Sequence, residues 1–119
     1  MPKTDSSAIP ADFLKTQVEL LQAGKSAELA SRYTEDAMIV RSDMVGRGRE
    51  EIKGLFDAYL AQNPVIKSVD LVLEEDNVIV YEAKETLNGK LITATGVLVF
   101  VDGQVWRQGI VFVDPFNPA

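Results

Sequence analysis

The segment from Ser31 to Leu60 constrains the fold more than any other part of the chain. Its sequence predicts the end of a helix, a short apolar strand, a turn with two glycines over Val45–Arg49, and a third helix that begins near Arg49. Apolar residues in this last helix recur with the spacing of one helical face. They are Ile52, Leu55, Phe56, Tyr59 and Leu60.

Two helices are predicted before this one, and the second is the shorter. The first helix ends at Gly24, because glycine is the usual residue just past a helix C-terminus. Ser26 is well suited to cap the second helix. We expect this second helix to bury Tyr33 and to close at Asp36, and a brief strand to follow over Ala37–Val40.

The second half of the chain predicts β-hairpins. Asn88-Gly89 and Asp102-Gly103 are typical two-residue hairpin turns, since both central residues of such turns need positive φ. The predicted result is an antiparallel meander over Val65–Glu74, Val78–Thr86, Leu91–Val101 and Gln104–Val113. Helices followed by one sheet indicate a single α+β domain over residues 10–119, preceded by a flexible tail, residues 1–9, and ending in DPFNPA, which should leave the sheet.

The run Val97–Val101 is apolar at every position instead of alternating with polar residues. Strands of this kind are buried on both faces. One face would cover the helices, and the other needs a partner. We therefore expect a homodimer formed through the outer face of the sheet.

Composition excludes several classes of function. The 119 residues contain no cysteine and no histidine, so Cys-His and Ser-His-Asp catalysis and thiolate or imidazole metal sites are excluded. A net charge of −6 argues against nucleic-acid binding, which requires basic patches. The apolar runs are too short for a membrane span, and nothing resembles a signal peptide. We expect a cytoplasmic protein with no metal or other cofactor.

The order of elements resembles the nuclear-transport-factor-2-like superfamily, in its SnoaL-like and ketosteroid-isomerase-like branch. The residues that carry the resemblance are LLQAGKSAELASRYTEDAMIV, VGRGREEIKGLFDAYL and the hairpin strands ending in GQVWRQGIVFVDP. The resemblance implies a cone-shaped roll, in which a curved antiparallel sheet wraps three N-terminal helices around a cavity. Members include isomerases, polyketide cyclases, dehydratases, epoxide hydrolases and non-catalytic domains, so the fold alone does not choose an activity.

The catalytic positions of the isomerases hold other residues in this chain. The resemblance places the general-base aspartate at Arg41, the oxyanion tyrosine at Gln17, and the second acid at Gly96 or Val97. Arg41 cannot abstract a proton, because a guanidinium stays protonated in proteins. Steroid-isomerase chemistry of that kind is therefore not expected.

The resemblance also implies that alternate strand residues and the inner helix faces line the cavity. Aromatic and polar side chains are mixed in this set, as in many ligand pockets. A one-residue error in strand phase would exchange the two faces. The predicted lining comprises Gln17, Tyr33, Ile39, Arg41, Phe56, Tyr59, Tyr81, Ala83, Glu85, Gln108, Ile110 and Phe112. The aromatic members either contact a ligand or fill the cavity themselves.

Three charged residues are weak catalytic candidates. Arg41 could bind a carboxylate or enolate oxygen, but an ion pair with Asp43, Glu82 or Glu85 is the favoured interpretation. Glu85 could act as a general base with a pKa raised by an apolar cavity, although a solvated charge near the strand end is favoured. Asp43 could reach the mouth of the pocket, but a turn-forming role is favoured.

Three functions remain open at this point. The first is a homodimer whose pocket binds a hydrophobic or oxygenated metabolite without catalysis. The second is a small enzyme of cyclase, isomerase, dehydratase or hydrolase type that uses Arg41, Tyr81 and a carboxylate from Glu85 or Asp43. The third is a dimerisation or assembly domain.

Overall fold

One six-stranded, curved sheet and three helices form the chain in the computed structural model, which describes residues 9–113. The helices are α1 (Phe13–Gln22), α2 (Ser26–Ser31) and α3 (Gly48–Leu60). The strands are β1 (Tyr33–Arg41), β2 (Val45–Arg47), β3 (Val65–Glu75), β4 (Val78–Leu87), β5 (Lys90–Val101) and β6 (Gln104–Val113). The predicted α+β class is confirmed. The tail predicted at residues 1–9, apart from its last residue, and the DPFNPA segment lie outside the described residues.

The strand order is β2-β1-β6-β5-β4-β3. Strands β3 to β6 form the predicted antiparallel meander, and the sheet is mixed because β1 runs parallel to β6. Both predicted hairpin turns are present: Asn88 and Gly89 have φ of 50° and 82°, and Asp102 and Gly103 have φ of 51° and 78°. These positive values are the geometry that such turns demand.

The first strand begins earlier than the sequence pattern indicates. Tyr33 is the first residue of β1 and is fully buried, so the prediction that the second helix continues to Asp36 is wrong. Pairing with β6 decides the outcome, because Tyr33 lies opposite Val105. The predicted turn over Val45–Arg49 is also corrected. Its first three residues form β2, which pairs with β1 through Ile39 and Gly46.

The core lies between the inner face of the sheet and the helices. Phe13 of α1 packs edge-on against Phe100 of β5, with ring centroids 4.8 Å apart. Leu98 is buried on the same face of β5, whereas Val97 and Val101 on the outer face are each 39% exposed. In a single chain, therefore, only one face of this strand is covered. Burial of the outer face by a second copy stays a prediction.

Candidate functional site

A cavity of about 100 Å³, partly open to solvent, lies between the inner face of the sheet and helices α1 and α3. Every predicted lining residue except Tyr33 is on its wall. The inward positions of β4 are Tyr81, Ala83 and Glu85, which alternate along the strand as a pleated sheet requires. Tyr33 lies beneath the wall, fully buried, and touches the site through a hydrogen bond. That these residues bind a ligand stays a prediction.

The structure adds lining residues that the sequence analysis did not assign to the pocket. All of them are apolar, so they set the character of the wall without adding polar groups. The sequence pattern could have indicated three of them, because Leu14, Val18 and Leu21 share one face of α1. They are Leu14, Val18, Leu21, Leu55, Ile66, Val69, Ala94 and Leu98.

Glu85 is the buried carboxyl of this cavity, with only 3% of its surface exposed. The Tyr59 hydroxyl donates a hydrogen bond to Glu85 Oε2 at 2.9 Å. Glu85 Oε1 is buried and has no partner. The favoured interpretation of a solvated strand-end charge is therefore wrong. Strand register explains the difference, because Glu85 pairs with Ile66 and Ile92 on the inward face, two residues before the end of β4.

Burial raises the pKa of the Glu85 carboxyl, because an apolar environment disfavours the charged form. The hydrogen bond from Tyr59 and the positive charge of Arg41 act to lower it, and burial has the larger effect. A carboxyl of this kind can hold or release a proton closer to neutral pH than an exposed glutamate.

Arg41 and Asp43 form the ion pair that was the favoured interpretation of Arg41. The guanidinium donates through Nε to Oδ1 and through Nη2 to Oδ2 of Asp43, each at 3.1 Å. The Arg41 side chain is 12% exposed and lines the cavity, with its Cζ 4.9 Å from the centre of the Phe112 ring. The Asp43 side chain is 57% exposed and is not part of the wall. Asp43 also lies in a turn, where the Arg41 amide donates to the Met44 carbonyl at 2.8 Å.

The third polar feature of the wall is a set of hydrogen bonds that runs from β1 through β6 to β4. The Tyr33 hydroxyl donates to Gln108 Oε1, and Gln108 Nε2 donates to the Tyr81 hydroxyl at 3.0 Å. Burial raises the pKa of Tyr81 to about 12 and raises the pKa of Tyr33 and Tyr59 further. All three tyrosines are therefore neutral near pH 7 and can donate hydrogen bonds.

The arrangement combines an apolar wall with three kinds of polar group, namely a buried carboxyl, neutral phenols and a paired guanidinium. It can hold a small molecule and contact its oxygen atoms, and it offers one carboxyl for proton transfer. No cluster of three metal-binding side chains occurs within residues 9–113. Over the same range, no helix combines the length and apolar character needed to cross a membrane.

Comparison with solved structures decides the fold. A nuclear-transport-factor-2-like protein of unknown function from Cytophaga hutchinsonii superposes with a TM-score of 0.73 at 18% identity, over 88% of this chain and 91% of that one. A candidate polyketide cyclase from Sinorhizobium meliloti gives 0.73 at 18% identity, over 90% and 99%. This chain has the nuclear-transport-factor-2-like fold. The resemblance seen in the sequence is thus confirmed at the level of fold.

A third similar structure has a different assigned role. It is a candidate calcium/calmodulin-dependent protein kinase II association domain from Xanthomonas campestris, with a TM-score of 0.67 at 25% identity, covering 97% of this chain and 99% of that one. No protein-family model matches the sequence, and a search of curated proteins finds no significant match. The names of these similar structures therefore range from a candidate polyketide cyclase to a candidate kinase association domain, so the fold alone does not indicate the function.

Proposed function

We propose that this nuclear-transport-factor-2-like protein binds a small hydrophobic or oxygenated metabolite in the cavity. One observation carries the proposal: Glu85 Oε1 is a buried polar atom without a partner on the wall of a predominantly apolar cavity. Folded proteins rarely leave such an atom unpaired, because an unmade hydrogen bond in the interior is costly. A ligand that contacts Glu85 Oε1 would complete the site.

The size and chemistry of the cavity indicate the class of ligand. An apolar cavity of about 150 Å³ holds one benzene ring. The present cavity is smaller, about 100 Å³, and it is partly open to solvent. A single small ring or a short branched chain would fit inside, with any larger substituent extending into solvent.

We further propose that the protein is a homodimer formed through the outer face of the sheet, and that it is cytoplasmic. An apolar row crosses five neighbouring strands on that face, as their registered pairs show. Extended exposed apolar surface of this kind is typical of a protein interface. The row consists of Val40, Gly109, Val97, Val80 and Leu73.

A second candidate function is catalysis in the same cavity. The raised pKa of Glu85 favours it, since acid–base catalysts work best with a pKa near the working pH. In this version Glu85 would transfer a proton, Tyr81 would donate to a substrate oxygen, and Arg41 would stabilise developing negative charge. Asp43 is the weaker carboxylate for this role, because it is exposed and outside the wall.

A third candidate is an assembly domain, and the 25% identity to the candidate kinase association domain is the observation that favours it. In that version the outer face would bind other chains and the cavity would stay empty. The third candidate therefore differs from the first in what the purified protein contains.

Native mass spectrometry of the purified protein tests the proposal. We expect a dimer that carries a small molecule, which denaturation releases for identification. A Val69→Phe variant should lose the small molecule, because Val69 lines the cavity and a phenyl ring would occupy it. Val72→Phe is the matched control, since Val72 lies on the same strand, is 62% exposed and is not part of the wall.

Three results would contradict the proposal. A monomer without any bound small molecule would contradict both the proposed ligand binding and the proposed dimer interface. A ligand that Val69→Phe retains would bind elsewhere than in the cavity. A dimer or larger assembly without any bound molecule, and without affinity for small ring compounds, would favour the assembly domain.

A further inference from the structure

The outer face of the sheet carries two rows of side chains that each cross all six strands. The apolar row continues from Val40 to Val45 of β2, so it reaches from one edge of the sheet to the other. Two residues away on every strand lies a second row on the same face, with a charged residue at each end. This second row consists of Arg47, Met38, Arg107, Val99, Val78 and Glu75.

Gly109 interrupts the side chains of the apolar row near its middle. Glycine weakens a strand, and its usual reasons there are a bulge, a bend or the close approach of another group. The pairing of Gly109 with Val40 and Val97 is in continuous register, so there is no bulge. Its φ is not positive. A Cβ added at Gly109 would meet no atom within 4 Å, so nothing in the described part of the chain excludes a side chain.

A depression open to solvent lies over Gly109 on the outer face. Val40, Val97 and Val111 are on its wall, and all three are exposed in a single chain. An apolar side chain from another molecule can enter between these valines and lie against the Gly109 backbone. Such a contact is the close approach that accounts for a glycine inside a strand.

Val97 of a second copy fits this depression when the two outer faces meet about a suitable two-fold axis. In a two-fold dimer, a contact from Val97 to the partner's Gly109 is repeated in the opposite sense. Gly109 and Val97 are registered neighbours on β6 and β5. An axis parallel to the strands, midway between β5 and β6, therefore places each Val97 over the partner's Gly109.

The same axis also matches the rest of the apolar row. β5 and β6 are the two central strands in the order β2-β1-β6-β5-β4-β3, so this axis exchanges the two halves of the sheet. Val40 then faces the partner's Val80, and Val45 faces the partner's Leu73. The apolar row is thus complementary to itself.

The charges of the face distinguish this axis from one at right angles to the strands. With the axis parallel to the strands, Arg47 lies opposite the partner's Glu75. An axis along the apolar row would instead set Glu75 against the partner's Asp70, which is the next outward residue of β3. Like charges that meet across an interface are unfavourable. That axis would also set Gly109 against the partner's Gly109 and leave the depression unfilled.

We propose that two copies of this chain pack outer face to outer face about a two-fold axis parallel to the strands, with Val97 of each copy over the partner's Gly109. Sheets that pack face to face commonly keep their strands within about 30° of each other, as this axis requires. The inference rests on the proposed homodimer. It adds how the two copies are arranged and which residues specify the arrangement.

Reversing the charges of Arg47 and Glu75 tests the axis without touching the core. The Arg47→Glu homodimer would bring carboxylates together, and the Glu75→Arg homodimer would bring guanidinium groups together. We expect the dissociation constant of each homodimer to rise about ten-fold at low salt, because the axis repeats every pair. Sedimentation velocity measures these constants.

A mixture of the two charge variants supplies a sharper readout. In the heterodimer both pairs have opposite charges, so native mass spectrometry should show mainly the heterodimer. Arg47 and Glu75 lie on the two edge strands, so a contact within one chain cannot produce this result. Lys25→Glu mixed with Glu19→Arg is the matched control. These changes alter the net charges equally at exposed residues outside the sheet, and should give a statistical mixture of dimers.

Gly109→Val tests the contact with the partner's Val97. The new side chain would fill the depression, so the dissociation constant should rise at least about ten-fold. Adding Val97→Gly to the same chain exchanges the protruding side chain and the depression, and should recover part of the affinity. Thr93→Val is the matched control, because it adds a valine to the outer face of β5 away from the depression. It should leave the dissociation constant unchanged.

The outcomes separate this inference from the proposed dimer. A wild-type protein that is monomeric at every concentration contradicts both. A wild-type dimer whose charge variants show no preference for the heterodimer keeps the dimer and contradicts this arrangement. A Glu75→Arg homodimer tighter than wild type would place the axis at right angles to the strands. A Gly109→Val dimer as tight as wild type would refute the contact between Val97 and the partner's Gly109.

Discussion

Replacing Glu85 with glutamine keeps the shape of the buried side chain and removes its charge. Tyr59 can donate to the glutamine carbonyl as it does to Glu85 Oε2. The change therefore isolates the cost of burying a carboxylate that has one oxygen unpaired.

The sign of the effect follows from the raised pKa of Glu85. The folded state binds the Glu85 proton more tightly than the unfolded chain does. The stability that this group contributes is therefore complete below the unfolded pKa and is lost as the pH rises through the raised folded pKa. Above that pH the folded protein contains a buried charge, and glutamine avoids it.

The size of the effect is that of the buried charge alone, because the glutamine amide nitrogen takes the place of Glu85 Oε1 and is unpaired as well. Each unit by which burial raises a pKa corresponds to about 1.4 kcal/mol. We expect Glu85→Gln to raise the free energy of unfolding by about 1–2 kcal/mol at pH 8. Below the raised pKa the carboxyl of the folded wild-type protein holds its proton, so the advantage of glutamine should shrink as the pH falls from 8 to 5.

Urea denaturation at pH 5 and pH 8 measures this difference. Ligand-free protein, refolded from urea, is used at one fixed concentration, because bound molecules and dimer formation both shift apparent stability. Glu19→Gln is the matched control, since Glu19 is exposed on α1. A Glu85→Gln variant that is less stable than wild type at pH 8, or whose advantage does not depend on pH, would refute the reasoning.

Three other substitutions have definite expected results. Tyr59→Phe removes the donor to Glu85 Oε2 and should cost about 1–2 kcal/mol at pH 8 by urea denaturation; an unchanged midpoint would contradict the role of this bond. Gly96→Ala forces a Cβ against the Tyr81 ring and should lower the free energy of unfolding by about 1–3 kcal/mol in the same assay. An unchanged free energy of unfolding would show that the ring can move. Val97→Asp places a charge in the apolar row and should convert dimer to monomer in light scattering; a persistent dimer would locate the interface elsewhere.

The features that the sequence predicted correctly depend on local patterns. Asn88-Gly89 and Asp102-Gly103 specify their turns through backbone geometry alone, and the third helix is specified by its apolar spacing. The alternation of side chains between the two faces of a strand predicted the inward residues of β4 correctly, namely Tyr81, Ala83 and Glu85. Local signals of this kind require no knowledge of distant partners.

The errors concern pairings between distant segments. Tyr33 belongs to β1 because Val105 lies opposite it, and no residue near Tyr33 in the sequence indicates that pairing. Glu85 was expected in solvent because glutamate is rarely buried, and only the strand register places it inside. The hydrogen bonds from Tyr33 through Gln108 to Tyr81 join three strands, so they can be read only from the folded protein.

The central claim is that a small molecule occupies the cavity between the sheet and the helices. The most direct test is a methyl-resolved NMR titration of the wild-type protein with cyclopentanone. We expect the largest shifts at Ile39, Leu98 and Ile110, which line the cavity, and none at Val40 or Val111 on the outer face. Shifts confined to the outer face, or no shifts at all at saturating probe, would contradict the account.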